Sequence, residues 1–326
     1  MTYRFDPELA AVIPMLPSPD LTDLPKFRAL LDEFRRNVEP PARTGVEVRD
    51  VSVPGPPGAP PVPVRVYRPA GDATAESGDG PPTGPTPGVL NIHGGGFVLG
   101  NVDIDDTSCL GLVRELGVVV VSVDYRLAPE HPFPAPLEDC YAALEWMAAN
   151  SAELGVDPTR IAVRGISAGG GLSAALALLT RDRGGPPLCF QFLGVPEVDD
   201  RLDTPSMRRF VDTPMWNRPN AVISWASYLG EGVPGTPDVS PYAAPARATD
   251  LAGLPPAYIS VMEFDPLRDE GIAYAQALLA AEVPVELHLF PGTFHGSGVA
   301  AHAAISRREA AEGIRVLATA LGLPRG

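Results

Sequence analysis

The sequence predicts an α/β fold: a mostly parallel eight-stranded sheet with helices on both faces and a helical cap. Three observations predict it. Short apolar runs recur along the chain, and Val118–Tyr125 (VVVVSVDY) is almost entirely β-branched, as suits a strand buried on both faces. Stretches of helical periodicity separate these runs, and strand–helix–strand alternation builds a parallel sheet. Near the start, two alternating stretches joined by a Pro-rich turn read instead as an antiparallel pair.

Taken in order, residues 1–45 carry helical pieces, and Pro25–Arg36 (PKFRALLDEFRR) places Phe27, Leu30, Leu31 and Phe34 on one face. Val46–Val53 and Val62–Tyr67 alternate as strands. The PGPPGAPP between them must turn, because proline cannot donate to a sheet ladder. Residues 69–87 read as an exposed loop within one domain, since strand signals resume directly after them. Further strands are Gly88–His93, Val118–Tyr125, Ile161–Ile166, Cys189–Val195, Ala257–Met262 and Val285–Phe290. Helices fill Asp105–Leu116, Ala135–Asn150, Gly170–Arg183, Arg268–Ala281 and Ala300–Ala320. Between Val198 and Pro256 there is helical texture but no strand. That segment reads as an insertion over the carboxyl edge of the sheet, where open α/β sheets bind ligands.

Composition narrows the chemistry. Forty acidic against 25 basic residues give a net charge of −15, a surface that repels phosphate backbones, and no basic patch offsets it. Nucleic acid is therefore excluded as a partner. Lys26 is the sole lysine, so a GxxxxGK[ST] phosphate loop, a catalytic SxxK and a Schiff-base lysine beyond the N-terminal segment are excluded too. Cys109, Cys140 and Cys189 are too far apart for a metal motif or disulfide framework and suit a reducing compartment. The first residues lack a secretory signal, and no apolar run is long enough to span a membrane, so a cytoplasmic location is expected.

The sharpest local feature is Gly165-Ile166-Ser167-Ala168-Gly169, between the strand IAVRG and an Ala/Leu-rich helix. A serine on so tight a strand-to-helix turn sits in a strained backbone with its hydroxyl exposed above the sheet. Alone, GxSxG is a weak match in a chain with 33 glycines. His93-Gly94-Gly95-Gly96-Phe97, directly after the strand GVLNI, supplies the context. Acyl transfer needs amide donors about 2.7–3.1 Å from the developing oxyanion. A glycine triplet offers such amides unobstructed, and Gly94, Gly95 and Ala168 are the expected donors. A phosphate-cradling loop would call for basic neighbours, and VLGNVDIDD follows instead.

These motifs, together with Tyr125-Arg126-Leu127-Ala128-Pro129-Glu130 and Asp265-Pro266-Leu267-Arg268-Asp269-Glu270-Gly271, resemble the hormone-sensitive-lipase-like branch of α/β-hydrolase esterases. The stretches Phe190–Leu202 and Phe210–Gly230 resemble the bacterial heroin esterases within it. The resemblance runs from about residue 85 to 300. It implies the α/β-hydrolase fold, with N-terminal cap helices in 1–45, a catalytic domain in 46–326 and a cap insertion at about 199–225. One position departs: the elbow carries Ile166 where this family usually has Asp or Glu.

Five histidines compete for the role of base. His93 belongs to the glycine loop, His131 to a Pro-rich turn, His288 to a strand and His302 to a helix. His295, in PGTFHGSG just past the last strand, can reach over the sheet. The seven-residue spacing of 288, 295 and 302 joins strand, loop and helix, which share no face, so no metal site is expected. The imidazolium needs a carboxylate, which in this fold lies between nucleophile and histidine in the chain. Asp265 ends a strand at the sheet edge and matches the family's catalytic acid. Glu263 lies inside that strand, and Asp269 reads as a charge favoured by the helix dipole. Asp139 reads as a plain structural acid. Glu197, at a strand end below the insertion, is placed to border the site.

The expectation is a serine carboxylesterase needing no cofactor, with Ser167, His295 and Asp265 as its triad. Phe97, Phe210 and Trp216 would shape a substrate pocket under the cap. The partner is a small-molecule ester, and a homodimer is compatible with the sequence. The resemblance implies short acyl groups, acetyl foremost. The alternatives are an acyltransferase using the same acyl-enzyme and a ligand receptor on a disabled hydrolase fold.

Overall fold

The computed structural model describes residues 3–17, 20–71 and 84–324. Eight strands form one sheet in the order β1-β2-β4-β3-β5-β6-β7-β8. They are β1 (Val46–Val53), β2 (Val62–Pro69), β3 (Thr86–Ile92), β4 (Val119–Val123), β5 (Val156–Ile166), β6 (Phe190–Gly194), β7 (Ala257–Phe264) and β8 (Val285–Phe294). β2 runs antiparallel to β1 and β4, and every other pair is parallel. The strand order reverses at β3, which lies between β4 and β5, so the crevice used by ligands of open α/β sheets opens at the carboxyl ends of β3 and β5.

Two helical layers cover the sheet. Val89, Val120, Ala162 and Tyr258 face α2 (Asp106–Leu116) and α7 (Ala304–Ala320), meeting Leu110, Val113, Val316 and Leu317. On the other face Leu90, Val121 and Val163 meet α3 (Ala135–Ala149) and α4 (Ala168–Arg183). There α6 (Arg268–Ala280) packs Tyr274 and Leu278 against Leu193, Ile259 and α4. β4 is buried at every position, which is why its sequence shows no alternation. Each fully buried valine or leucine here contributes about 1.5–3 kcal/mol over leaving it exposed.

Several expectations shift in detail. β5 begins at Val156, five residues early, because Val156 pairs with Thr86 of β3 ahead of the DPTR segment, in which the Asp157 carboxylate accepts from the Thr159 amide and Arg160. β8 continues through Pro291 to Phe294, tolerated because it is an edge strand with one unpaired side. In α1 (Leu24–Arg36) the buried residues are Leu24 and Phe27, with Leu31 packed beside them. Leu30 and Phe34 are 55% and 66% exposed, so the apolar face is rotated from the predicted one. Most of the loop expected at 69–87 lies outside the described residues.

The insertion after Val198 is helical, as its texture predicts, with Pro205–Arg209 and α5 (Arg218–Leu229). Its ends are tied where Arg247 donates to both oxygens of the buried Asp200. Trp225 and Tyr228 of α5 are fully buried against Phe97. Among the described residues no helix is long and apolar enough to cross a membrane.

Candidate active site

Ser167 stands between β5 and α4 with φ 59° and ψ −124°, a conformation rare for a residue with a side chain. Backbone bonds hold the turn: Ser167 N–H donates to Gly194 O (2.8 Å), and Ser167 O accepts from Gly171 (3.0 Å) and Glu197 (3.1 Å). Such tightness demands glycine at 169, where a Cβ would lie 2.0 Å from Ile92 O at the end of β3. β3 and β5 are registered so that Ile92 pairs with Gly165, which sets the glycine loop beside the elbow. A Cβ on Gly94 would come within 3.3 Å of the Ser167 Cβ.

The two side chains expected to join Ser167 arrive from the ends of β7 and β8, beyond β6. His295, directly after β8, places Nε2 2.9 Å from Ser167 Oγ. Asp265, directly after β7, places Oδ2 2.7 Å from His295 Nδ1, while its Oδ1 accepts from the Leu267 amide at 2.9 Å. A carboxylate can only accept, so the imidazole proton belongs on Nδ1 and the Nε2 lone pair faces the serine hydroxyl. All three groups are buried, with Ser167 6% and His295 8% exposed. The rival acids are engaged elsewhere: Glu263 accepts from the Gly292 amide (2.7 Å) and Asp269 from the Ser206 amide (2.7 Å).

The glycine loop is buttressed from behind. Tyr125 stacks on the His93 ring at 4.2 Å and donates to His93 O (2.9 Å). Gly95 O accepts from Val98 and Leu99. Among the described residues the amides of Gly94 and Gly95 donate to no backbone carbonyl, which suits them to an incoming oxyanion. Arg28 of α1 clamps the far end, donating to Val98 O, Ala128 O and Glu130. Asp139, read from the sequence as a structural acid, accepts from Arg126 through two side-chain contacts at 2.7 and 2.8 Å.

Of the three expected pocket aromatics, Trp216 comes nearest the triad. Its ring centroid lies 5.9 Å from that of His295, and its edge lies against Gly96, where a Cβ would meet it at 2.4 Å. Phe97 is stacked on Tyr228 (4.1 Å) and Phe210 sits among Tyr3, Phe264 and Arg268, both 1% exposed.

Sequence reading placed Glu197 at the border of the site but missed its partner, and it missed a second group around His288. Glu197 is fully buried and touches Ser224 of α5, a partner 27 positions along the chain that no spacing signals. Burial, reinforced by the Asp265 charge, pushes its carboxyl up to about 8. His288 converges with Glu286 and Glu312, a partly exposed cluster hinted at only by the two-residue spacing within β8. Arg315 already bridges both of its carboxylates, at 2.5 Å each, which makes it a surface ion-pair group.

A serine, an acid and a histidine at the carboxyl ends of three strands of such a sheet define a hydrolase of the α/β type. The family model described as alpha/beta hydrolase fold matches residues 89–298, from β3 to just past His295, and the chain belongs to that family, in its hormone-sensitive-lipase-like branch. It is an enzyme of the carboxylic ester hydrolase class. Among solved structures, bacterial heroin esterase is 54% identical and superposes with a TM-score of 0.92 over 98% of each chain. Esterase LipW from Mycobacterium marinum is 41% identical with a TM-score of 0.85, over 97% of this chain and 96% of its own. Among curated proteins, Esterase LipI of Mycobacterium tuberculosis is 40% identical over 83% of this chain and 81% of its own length.

Proposed function

We propose that the protein hydrolyses small carboxylic esters through a covalent acyl-serine. His295 takes the Ser167 proton as Oγ attacks the ester carbonyl, and then returns it to the departing alcohol oxygen. Asp265 keeps the imidazole in the required tautomer and stabilises its charge. The amides of Gly94, Gly95 and Ala168 receive the carbonyl oxygen as it becomes an oxyanion. Water, activated by the same imidazole, then attacks the acyl-enzyme and frees the acid. The observation that carries this reading is the unbroken Ser167–His295–Asp265 chain of 2.9 and 2.7 Å contacts. No step needs a cofactor or metal.

The N-terminal helices within 1–45 and the insertion at about 199–225 act in this reading as the cap. Trp216, lying between the glycine loop and His295, is the wall nearest the reacting carbonyl; Phe97 and Phe210, each 1% exposed, support the layer around it. An indole so placed leaves little room for a long acyl chain, which supports short acyl groups, acetyl foremost. Similarity to bacterial heroin esterase agrees with such a preference. The test is Ser167→Ala on p-nitrophenyl acetate. A folded variant should lose about 10³-fold or more in kcat/KM. Near wild-type turnover by that variant would end the serine mechanism.

A further inference from the structure

Ser224 Oγ lies 2.8 Å from Gly96 O and 3.2 Å from Glu197 Oε1. A serine hydroxyl has one hydrogen, and a carbonyl oxygen can only accept. The shorter contact therefore takes the serine hydrogen, and the contact with Glu197 has a hydrogen only if the carboxyl supplies it. The surroundings agree. Glu197 is fully buried, and among the described residues its Oε2 has no partner. An ionised carboxylate with one bare oxygen in such a place would be costly, whereas a neutral acid leaves only a carbonyl-like oxygen unpaired. The titratable groups facing it are Asp265, Glu270 and Tyr125, whose ionised forms would each repel a further negative charge.

We infer that Glu197 is a neutral carboxylic acid that donates to Ser224 and, through Ser224, fixes the Gly96 carbonyl and with it the oxyanion-binding amides of the glycine loop. Glu197 is thus a positioning residue, remote from the substrate. The same residue's amide holds the Ser167 carbonyl, so one residue ties the elbow to the glycine loop. This inference rests on the esterase reading above.

The relay makes the proton on Glu197 part of the active form. Because burial raises the pKa of this carboxyl, that proton is retained at neutral pH and lost as pH rises through about 8. Ionisation would break the donation to Ser224 and draw the serine hydrogen away from Gly96. A loop displaced by a fraction of an ångström loses transition-state stabilisation more than substrate binding.

The experiment compares Glu197→Gln, Glu197→Val and Ser224→Ala on p-nitrophenyl acetate. A fluorophosphonate label counts the Ser167 sites that remain folded and reactive. Glu197→Val and Ser224→Ala should lower kcat by about tenfold or more with KM within about threefold, since losing one oxyanion donor outright costs about 10²–10³. Glu197→Gln should recover most of that loss, because its amide N–H donates where the acid did. It should also lose the decline in kcat that the wild type shows above about pH 8. The relay is overturned if Ser224→Ala keeps full kcat, if Glu197→Gln is as slow as Glu197→Val, or if the alkaline decline survives in Glu197→Gln. Should Glu197→Val fail to fold, Ser224→Ala and Glu197→Gln still decide the matter. A wild-type protein that neither turns over the ester nor labels at Ser167 would overturn the esterase reading, and the relay with it.

Discussion

Two polar networks are buried in this sheet, and they are built on opposite rules. One lies under α2, where Arg164 donates to Asn91 and Ser108, Asn91 donates to Asp105, and Asp106 accepts from Arg65 and Tyr67. The Arg65 guanidinium there sits beside Asp50, Asp103 and Asp106, and the hydrogen bonds run across β2, β3, β5 and α2. The other lies at the carboxyl edge, where Asp265, Glu197 and Glu270 share a small volume and an imidazole is the basic partner of Asp265. Balanced charge gives a scaffold with nothing left to react. Acids left without a guanidinium partner keep lone pairs and protons available for chemistry. The comparison teaches that burial alone does not mark a working site; the missing counter-charge does.

The largest expected effect tests the catalytic side. Asp265→Asn should leave the fold intact but present the wrong tautomer of His295, lowering kcat by about 10³–10⁴. The pH dependence of turnover, with near-UV circular dichroism to confirm folding, would show it. An equally slow Arg164→Met variant would erase the distinction between the networks. The scaffold rule instead predicts that Arg164→Met loses stability, by about 1–3 kcal/mol because the buried Asn91 oxygen is left without its donor. Its kcat per folded molecule should stay within about threefold of wild type, measured by urea unfolding alongside active-site titration.

A smaller effect sharpens the substrate side. Trp216→Ala should move the best acyl length from about two to six carbons towards eight or more. Each accommodated CH₂ contributes about 0.8 kcal/mol where an indole formerly excluded it. A series of p-nitrophenyl esters reads this directly, and an unchanged optimum would remove Trp216 from the acyl pocket. The smallest expected effect is none at all. A chelator and a thiol reductant should leave activity within error, since Arg315 already bridges both carboxylates of the Glu286–His288–Glu312 cluster and Cys109 and Cys140 are buried. Loss on chelation, restored by one divalent metal, would mean that this cluster does more than pair charges.

The legible part of the site is the part made by backbone. GxSxG and HGGG are read easily because their geometry is encoded in runs of adjacent residues, each immediately following a strand. His295 and Asp265 were legible by position, since strand ends are countable and few histidines competed. Side-chain pairings across elements were not legible. Nothing in the spacing of Glu197 and Ser224 signals contact, because the insertion's path decides it. The orientation of α1 failed for a similar reason: Leu24, just outside the predicted helix, joins Phe27 in the buried stripe, and Leu30 and Phe34 turn to solvent. The early start of β5 was hidden by Asp157-Pro158, a turn signal overridden by tertiary pairing with β3.

The backbone of Ser167 has a thermal consequence. A residue with a side chain held at φ 59° carries a strain of about 1–3 kcal/mol, and glycine adopts that region freely. The chain therefore spends some of its resistance to heat on holding one hydroxyl in place. Ser167→Gly should be inactive yet melt higher, by a few degrees if about 1 kcal/mol of the strain is recovered after glycine's greater freedom in the unfolded chain is set against it. Differential scanning calorimetry beside Ser167→Ala, which keeps the Cβ and so the strain, would separate relief of the turn from mere loss of the hydroxyl.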